Sequence, residues 1–314
     1  MESFLLKPKN KKSFLEGIQA LKYSTRENYM ASIHRFEFFC HKNYQGRTPE
    51  EIIAELKSLP IDSRDEAYFG VLQDFVNWLM KIGLANCTVN MYCQIITYYF
   101  SHHGIRVHPI EIRQNVKKPK KVKEKLHPLT KDEILKIFKI SDEKRRILYL
   151  TLVGSGMRIR ECVALRRKDF DLDYKRIKIE VPAKYTKTQT SHTTYVSVEA
   201  EKYLKPHLES LKTDDLVFAT NSSPYHASMT EIESFSRTRD RAGLIGKYQS
   251  TNRHFISLHS FRSYFFTRAR RIHDSDVAHA MIGHTAYLDM YDRKDETERL
   301  ELYLKVEPIL KILD

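Results

Sequence analysis

Two arginines in the sequence each stand three residues from a second polar side chain. Arg158 in GMRIRE is followed by Glu161, and Arg262 in HSFR is preceded by His259. Because residues at i and i+3 project from one face of a helix, each pair is expected to point the same way. A guanidinium next to an imidazole suits the two non-bridging oxygens of one phosphate. Taken alone, Arg158 and Glu161 favour a structural ion pair, and an HxxR pattern is common by chance.

A third segment, MIGHTAYLDMYDRK, adds an imidazole and two phenols: His284, Tyr287 and Tyr291. A tyrosine hydroxyl attacks phosphorus competently when nearby positive charge stabilises the phenolate and the transition state. The chain has 18 tyrosines, most of which are expected to serve packing, so neither phenol is convincing alone. The three segments together supply groups that are able to bind a phosphate and two candidate nucleophiles.

The chain is strongly basic, with 53 Lys and Arg against 40 Asp and Glu, a formal net charge of +13 and a pI of about 9.4. Such a charge favours an anionic polymer, because each neutralised phosphate releases counterions. A basic protein with no nucleic-acid partner is the alternative, since charge is only the first sign of a nucleic-acid binder. With 314 residues, 41% of them hydrophobic, the chain is long enough for two domains.

Cysteine usage and hydropathy argue against several other classes of protein. The four cysteines are scattered without a CxxC pair, which favours buried thiols in a reducing compartment over disulfides or a zinc site. The N-terminus, MESFLLKPKNKK, lacks the apolar core of a signal peptide, and no apolar run approaches the ~18 residues of a membrane span. We therefore expect a protein without membrane association or bound metal, located in the cytoplasm.

The first third of the chain predicts a bundle of four or five helices. Helix starts are marked by a capping residue with an acidic residue three positions later: Ser24 with Glu27, Thr48 with Glu51, and Ser63 with Glu66. Apolar residues follow each of these starts at helical spacing. We place the helical domain at residues 1–104.

A basic segment, residues 105–127, breaks this pattern. It holds eight Lys or Arg and two acids, with two prolines and no apolar periodicity, so it is expected to be an extended linker. A solvated tether is one interpretation, and a tether that also lies along phosphates is at least as well supported. The lysines expected to contact DNA are Lys117, Lys118, Lys120, Lys121, Lys123 and Lys125.

Residues 128–314 predict a second, mainly helical domain with a small antiparallel sheet. Thr130 and Glu133 form another capping box, and a buried helix is expected to follow. Two alternating runs, 176–181 and 194–198, fit an antiparallel strand pair with an exposed polar connection. The predicted fold class is therefore mainly α with a small antiparallel β-sheet.

Together and in this order, the three segments resemble the tyrosine recombinase, or phage integrase, family, and the resemblance covers the whole chain. GMRIRE matches the first arginine box with Arg158 and Glu161, HSFR supplies His259 and Arg262, and GH supplies His284. The resemblance implies a helical core-binding domain that binds DNA, followed after the basic linker by the catalytic domain of this family.

The resemblance also implies a lysine in the strand connection and a tyrosine nucleophile. Lys187 in YTKTQ is the natural match, with Lys184 as the alternative. The tail YDRKDETERLELYLKVEPIL is similar to the tails of archaeal integrases, and on that comparison Tyr291 is the nucleophile, ahead of Tyr287 and Tyr303. The sequence departs from many members here, because Tyr291 lies closer to the GH histidine than their nucleophile does.

In the implied mechanism, Arg158, His259 and Arg262 hold the scissile phosphate and neutralise the charge that builds on its oxygens. Tyr291 attacks in line, which forms a 3′-phosphotyrosyl bond and releases a 5′ hydroxyl. The covalent link retains the energy of the phosphate ester, so no ATP, cofactor or metal is expected. Strand exchange follows when another 5′ hydroxyl attacks the link.

The remaining residues of the implied site move or hold protons. Lys187 protonates the leaving oxygen as general acid, a role for which arginine is unsuited because it does not release its proton. His259 assists removal of the tyrosine proton. His284 donates a hydrogen bond to the phosphate, and Glu161 orients Arg158 or His259.

The resemblance implies a site-specific recombinase that integrates or excises a mobile element and assembles as a tetramer on paired sites of double-stranded DNA. A nucleoid-associated protein of prokaryotic or viral origin is expected. The alternatives are a type IB topoisomerase-like enzyme, a transposase with the same site, and a DNA-binding protein that has lost catalysis. The short spacing before Tyr291 motivates the last of these.

Overall fold

The computed structural model of this protein consists of a succession of helices with one small sheet. Several of the helices begin at capping residues or prolines. The structure describes residues 8–120, 122–284 and 295–313. The chain divides into two compact units, Met1–Lys123 (unit 1) and Glu124–Asp314 (unit 2). None of the helices within the described ranges is both long and apolar enough to cross a membrane.

Unit 1 is helical in its described part. Its helices are α1 (Lys11–Gly17), α2 (Tyr23–Asn43), α3 (Pro49–Ser58), α4 (Ile61–Lys81), α5 (Asn86–His102) and α6 (Pro109–Asn115). Phe36 of α2 meets Phe75 of α4 and Phe100 of α5 edge-to-face, with ring centroids 5.0 and 5.7 Å apart. This geometry is the preferred one for aromatic pairs, and these three rings lie in the centre of the core of unit 1.

The helix starts show which capping signals the chain uses. The capping box predicted at Thr48 is confirmed, because the Thr48 hydroxyl accepts from the backbone N–H of Glu51, whose carboxylate accepts from the Thr48 N–H. The predicted caps Ser24 and Ser63 are wrong, since both residues lie inside the first turns of α2 and α4. Pro60 allows α4 to begin earlier, because its fixed φ suits the position before a first turn.

The basic segment 105–127 is not extended throughout, contrary to the prediction. His108 accepts from the N–H of Ile110, and the Glu111 carboxylate accepts from the His108 N–H, which starts α6 within the segment. Ile112 and Val116 are buried in the core of unit 1. Two apolar residues four apart are too short a pattern to reveal such a helix in a run of lysines.

Unit 2 combines helices with a three-stranded sheet. Its described helices are α7 (Lys131–Ile140), α8 (Glu143–Ser155), α9 (Ile159–Cys162), α10 (Val198–Glu209), α11 (Pro224–Arg241), α12 (Leu258–Ile272), α13 (Ser275–Met281) and α14 (Glu296–Val306). The strands are β1 (Phe170–Asp171), β2 (Lys178–Val181) and β3 (His192–Tyr195), in the order β1-β2-β3. The predicted fold class, mainly α with a small antiparallel sheet, is confirmed.

The sheet is antiparallel throughout. Ile179 pairs with Phe170 on one side and with Thr194 on the other. The predicted strand pair corresponds to β2 and β3, but β3 begins earlier, at His192, and β1 was not expected because two residues carry no periodic signal. The connection between β2 and β3 contains Lys184 and Lys187.

Helix α8 lies at the centre of unit 2. Its residues from Ile147 to Ser155 are all buried, and it packs against α10, α12 and β3. Because this part of α8 is buried around its whole circumference, other elements must pack on all of its sides, and α8 therefore forms the centre of the core of unit 2. Gly156, with φ of +66°, ends α8 and turns the chain toward Arg158.

Candidate active site

Arg158 occupies the start of the short helix α9. It is the N-cap residue, and the Glu161 carboxylate accepts hydrogen bonds from its backbone N–H at 2.9 Å and from its guanidinium at 2.5 Å. Glu161 is 1% exposed, whereas the Arg158 side chain is 21% exposed. The ion pair expected on structural grounds therefore exists, and it leaves part of the Arg158 side chain accessible.

Arg262 reaches the same carboxylate from α12. Its Nη1 lies 3.8 Å from the Glu161 carboxylate and donates to the Gly156 carbonyl at 2.9 Å, while its Nη2 donates to the Ile282 carbonyl at 2.7 Å. The side chain is 3% exposed. Burial, and then the charge of Arg158, lowers the pKa of Arg262 to about 10, so it remains cationic at neutral pH.

The two predicted arginines thus meet on one buried carboxylate. Within this trio two positive charges face one negative charge, so one positive charge is left for an anion. Three backbone segments fix the arrangement: the turn at Gly156, the start of α9 and the end of α13 at Ile282. Such preorganised guanidinium groups are suited to bind a phosphodiester and to stabilise charge that develops on its oxygens.

His259 lies on α12, three residues before Arg262, as predicted. It keeps solvent access. Partial desolvation, followed by the positive charges of Arg262 and Arg158, lowers its pKa, which favours the neutral imidazole. A neutral, accessible imidazole beside two arginines is able to accept a proton.

His284 follows Gly283, which has φ of +65°, at the end of α13. Burial lowers its pKa to about 4, with further contributions from Arg262, Arg158 and His279. His279 contacts it directly, because the two Nδ1 atoms are 3.1 Å apart. The structure therefore brings His284 into the electrostatic field of the two arginines and adds a second imidazole that sequence reasoning missed.

A fourth imidazole, that of His192 at the start of β3, was also missed. Among the described residues neither of its buried ring nitrogens has a hydrogen-bond partner. Burial lowers its pKa, Glu161 opposes this shift, and Arg262 and Arg158 add to it. Its ring lies against Gly283, where an added Cβ would be 2.5 Å from His192 Nδ1. No signal in the sequence distinguishes it from the other residues of the strand connection.

The two candidate lysines, Lys184 and Lys187, are exposed in the connection between β2 and β3. Lys184 Nζ lies 5.0 Å from the centroid of the Tyr185 ring, a cation–π contact. The connection ends at His192, which belongs to the cluster around Glu161. The general-acid role of Lys187 remains a prediction.

The tyrosines proposed as nucleophiles, Tyr291 and Tyr287, lie outside the described residues. Tyr303 lies in α14 and is 1% exposed, and its hydroxyl donates to the Gly154 carbonyl at 2.8 Å. Burial raises the pKa of Tyr303 well above its ordinary value. A phenol that is buried, hydrogen-bonded and hard to ionise serves packing, which agrees with its last place among the candidates.

The predicted DNA-contacting lysines lie around the boundary between the two units along the chain. Lys117, Lys120, Lys123 and Lys125 are exposed, Lys118 is partly buried, and Lys121 lies outside the described residues. The backbone here is held by unit 1, because Gln73 accepts from the Lys117 N–H and Asn86 donates to the Lys120 carbonyl.

Part of the chain matches a known protein family and known proteins. The phage integrase family matches residues 127–291. Over 102 residues the chain is 28% identical to tyrosine recombinase XerA of Thermococcus kodakarensis, a match that covers 32% of this chain and 35% of that protein. XerA of Pyrococcus horikoshii is 27% identical over 113 residues, covering 35% and 38%. The match thus spans little more than a third of the length of these relatives.

Solved structures show the same fold along most of the chain. A lambda integrase tetramer bound to a Holliday junction has a TM-score of 0.60 and 18% identity, covering 91% of this chain and 80% of that one. XerH site-specific recombinase bound to its difH substrate has a TM-score of 0.56 and 19% identity, covering 92% and 81%. Since the family model matches more than half of its residues, the chain belongs to the phage integrase family.

Proposed function

We propose that this protein is a site-specific DNA recombinase that cleaves and rejoins DNA through a 3′-phosphotyrosyl intermediate, and that it integrates or excises a mobile element. The observation that carries the proposal is the meeting of Arg158 and Arg262 on the buried carboxylate of Glu161. A pair of guanidinium groups fixed in this way is suited to a single phosphodiester. Family membership supports the same chemistry.

In the proposed reaction, Arg158 and Arg262 bind the scissile phosphate and stabilise its transition state. Preorganised donors of this kind typically contribute ~2.7–4 kcal/mol each. Tyr291 attacks the phosphorus, the P–O bond to the 5′ oxygen breaks, and the 3′ phosphate becomes attached to the phenol. His259, held neutral by its lowered pKa, accepts the tyrosine proton. Lys187 donates a proton to the departing 5′ oxygen.

Double-stranded DNA is the proposed partner. The net charge of +13 and the lysines at 117–125 support it, because both favour phosphate binding. Unit 1 and the basic segment are proposed to bind DNA, and unit 2 to carry out catalysis. The lambda integrase neighbour is a tetramer bound to a Holliday junction, and we propose a tetramer on paired sites for this chain as well.

A covalent-capture experiment tests the proposed chemistry without a defined target site. The protein is incubated with a pool of duplexes of randomised sequence that carry nicks, so that a short cleaved fragment with its 5′ hydroxyl diffuses away and prevents rejoining. Denaturing electrophoresis then separates covalent adducts, whose DNA is sequenced. Wild type is expected to give adducts and Tyr291→Phe to give none, while Tyr287→Phe keeps them as the matched control.

Three results would contradict the proposal. An adduct in Tyr291→Phe would refute that nucleophile, and a wild type that binds DNA tightly without any adduct would favour the catalytically inactive DNA-binding protein. Once a site is known, exchange between two labelled duplexes separates recombination from simple topoisomerase-like relaxation. Relaxation without exchange would refute the recombinase assignment.

The role of Lys187 is testable with an altered leaving group. If Lys187 protonates the 5′ oxygen, Lys187→Ala slows cleavage ~10²–10⁴-fold, as for other general acids. A substrate with sulfur in place of that bridging oxygen restores the rate, because a thiolate leaves without protonation. Lys184→Ala is the control and is expected to cleave both substrates at the wild-type rate. Failure of the sulfur substrate to rescue Lys187→Ala would argue against the general-acid role.

A further inference from the structure

The His279–His284 pair forms a direct contact between two imidazoles in the candidate active site. Their Nδ1 atoms are 3.1 Å apart, the ring centroids are 5.3 Å apart, and the ring planes are inclined by 25°, so the rings approach each other edge to edge. One ring must donate and the other must accept, because only one proton can lie between two nitrogens at this distance. The contact therefore couples the tautomer of one ring to that of the other.

The charges around the pair keep the ring of His284 neutral. Burial and the nearby guanidinium groups of Arg262 and Arg158 hold the pKa of His284 at about 4, so at neutral pH it carries a single proton. His279 sits on α13, with its ring 4.7 Å from the ring of Phe266. That packing fixes the ring of His279 in place next to His284.

The tautomer of His284 decides what it offers a phosphate. Since its Nδ1 is occupied by His279, only Nε2 is left for a substrate. If His279 donates, His284 carries its proton on Nε2 and becomes a hydrogen-bond donor. If His279 accepts, Nε2 is a bare lone pair, which would repel a phosphate oxygen.

We propose that His279 is a positioning residue that donates its Nδ1–H to His284 Nδ1 and so holds His284 in the Nε2–H tautomer, the form that donates to the scissile phosphate. This inference rests on the proposed function, because it gives His284 a phosphate to bind. It extends that function by naming the residue that sets the protonation pattern of the site. Imidazoles elsewhere are commonly fixed by the partner of their second nitrogen in this way.

The first test reads the tautomer directly and needs no DNA. The full-length protein is labelled with ¹⁵N-histidine, and long-range ¹H–¹⁵N correlation at pH 7 distinguishes protonated from bare ring nitrogens. His284→Gln assigns the His284 signals by their loss. The expected pattern is a protonated Nε2 and a bare Nδ1 on His284. A protonated Nδ1 on His284 would overturn the proposal.

The second test asks whether the contact serves cleavage. His279→Asn keeps an N–H donor close to the position of Nδ1, whereas His279→Leu keeps bulk against Phe266 but removes the donor. His279→Leu is expected to slow adduct formation about tenfold, the lower end of the effect of losing a residue that orients a functional imidazole. His279→Asn is expected to form the adduct at a rate within about threefold of wild type. Equal losses in both variants would point to packing alone and overturn the proposal.

A double-mutant cycle separates positioning from folding. In a His284→Ala background His279 has no ring to position, so adding His279→Leu is expected to cost nothing further. An additive loss would overturn the proposal. If the Nε2–H tautomer is found but wild type forms no adduct, the proposed function fails and the phosphate role of His284 fails with it. An adduct together with the wrong tautomer defeats this inference alone.

Discussion

Glu161 lies between two guanidinium groups and is shielded from solvent, so these groups provide the stabilisation of its charge. It is 1% exposed, it accepts from Arg158, and it is the nearest counter-charge to Arg262, which is 3% exposed. The structural ion pair of Arg158 is therefore compatible with the phosphate-binding role proposed for it. The ion pair is structural, and it also fixes the group that is proposed to bind the phosphate.

Replacing Glu161 should destabilise the fold as well as the site. Glu161→Ala leaves the buried Arg262 without a counter-charge, which should lower the free energy of unfolding by about 3 kcal/mol. Glu180→Ala is the control, because Glu180 is an exposed partner of Lys178 and such pairs contribute ~0–1 kcal/mol. Urea denaturation measures both variants. Equal small losses would mean that Glu161 does not hold the two arginines.

The histidines of the site make stability depend on pH. The pKa values of His192, His259 and His284 are all lowered, the last to about 4, so the unfolded chain binds protons that the folded chain does not. Their contribution to stability is present above the unfolded pKa of about 6.5 and is lost as pH falls toward the folded values. The free energy of unfolding should therefore fall between pH 7 and 5, and less steeply in His284→Gln. A slope unchanged by that substitution would contradict the burial of a neutral His284.

At the scale of elements, the turn after α8 sets the position of Arg262. A Cβ on Gly156 would lie 2.6 Å from Cδ1 of Phe265 and 2.9 Å from Cγ2 of Ile282, and φ is +66°. The Gly156 carbonyl also accepts from Arg262. The close approach of α8, α12 and α13 at this glycine therefore builds the arginine cluster.

Gly156→Ala should lower the free energy of unfolding for two reasons, the left-handed backbone at this position and overpacking by the added Cβ. Gly243→Ala separates the two effects. Gly243 has φ of +74° with nothing near its added Cβ, so it should show only the left-handed backbone penalty of about 1 kcal/mol. Gly156→Ala adds overpacking, for a total of about 2–4 kcal/mol, and should reduce DNA cleavage as Arg262 shifts. Thermal denaturation compares the two. Equal losses would show that the turn has room to relax.

Local signals were predictable from sequence, whereas contacts between distant segments were not. The capping boxes at Thr48 and Thr130 were recognised because each is complete within four residues, although the same pattern at Ser24 and Ser63 lies inside a first turn. The pairing of His279 with His284, and the place of His192 beside Glu161, depend on how α13 and β3 pack. The arginine pair was identified only through its resemblance to a known family, since each HxxR or RxxE pattern alone is common.

At the scale of the whole molecule, charge is concentrated along the chain where unit 1 ends and unit 2 begins. The segment 105–127 contains eight Lys or Arg and two acids. Hydrogen bonds with Gln73 and Asn86 hold its backbone on unit 1 at Lys117 and Lys120. A basic segment whose backbone is held on a folded surface loses less conformational entropy on binding than a free tether does.

The lysines of the basic segment 105–127 should account for much of the salt dependence of DNA binding. Replacing Lys117, Lys120 and Lys123 by Gln should make the slope of log K against log salt less negative by about 0.9 for each phosphate that is no longer neutralised. The control removes the same charge elsewhere, by Gln at Lys139, Lys205 and Lys212. Fluorescence anisotropy of duplex DNA over a salt series measures both. Equal changes in both triple variants would mean that net charge, and not the basic segment 105–127, drives binding.

The covalent link itself offers the most direct test of the central claim. The trapped adduct is digested with trypsin and nuclease, and the residual nucleotide is located by tandem mass spectrometry within the peptide of residues 272–293, which contains both Tyr287 and Tyr291. We predict a nucleotide joined through its 3′ phosphate to Tyr291. A nucleotide on Tyr287 or Tyr303, or a linkage through a 5′ phosphate, would contradict the account.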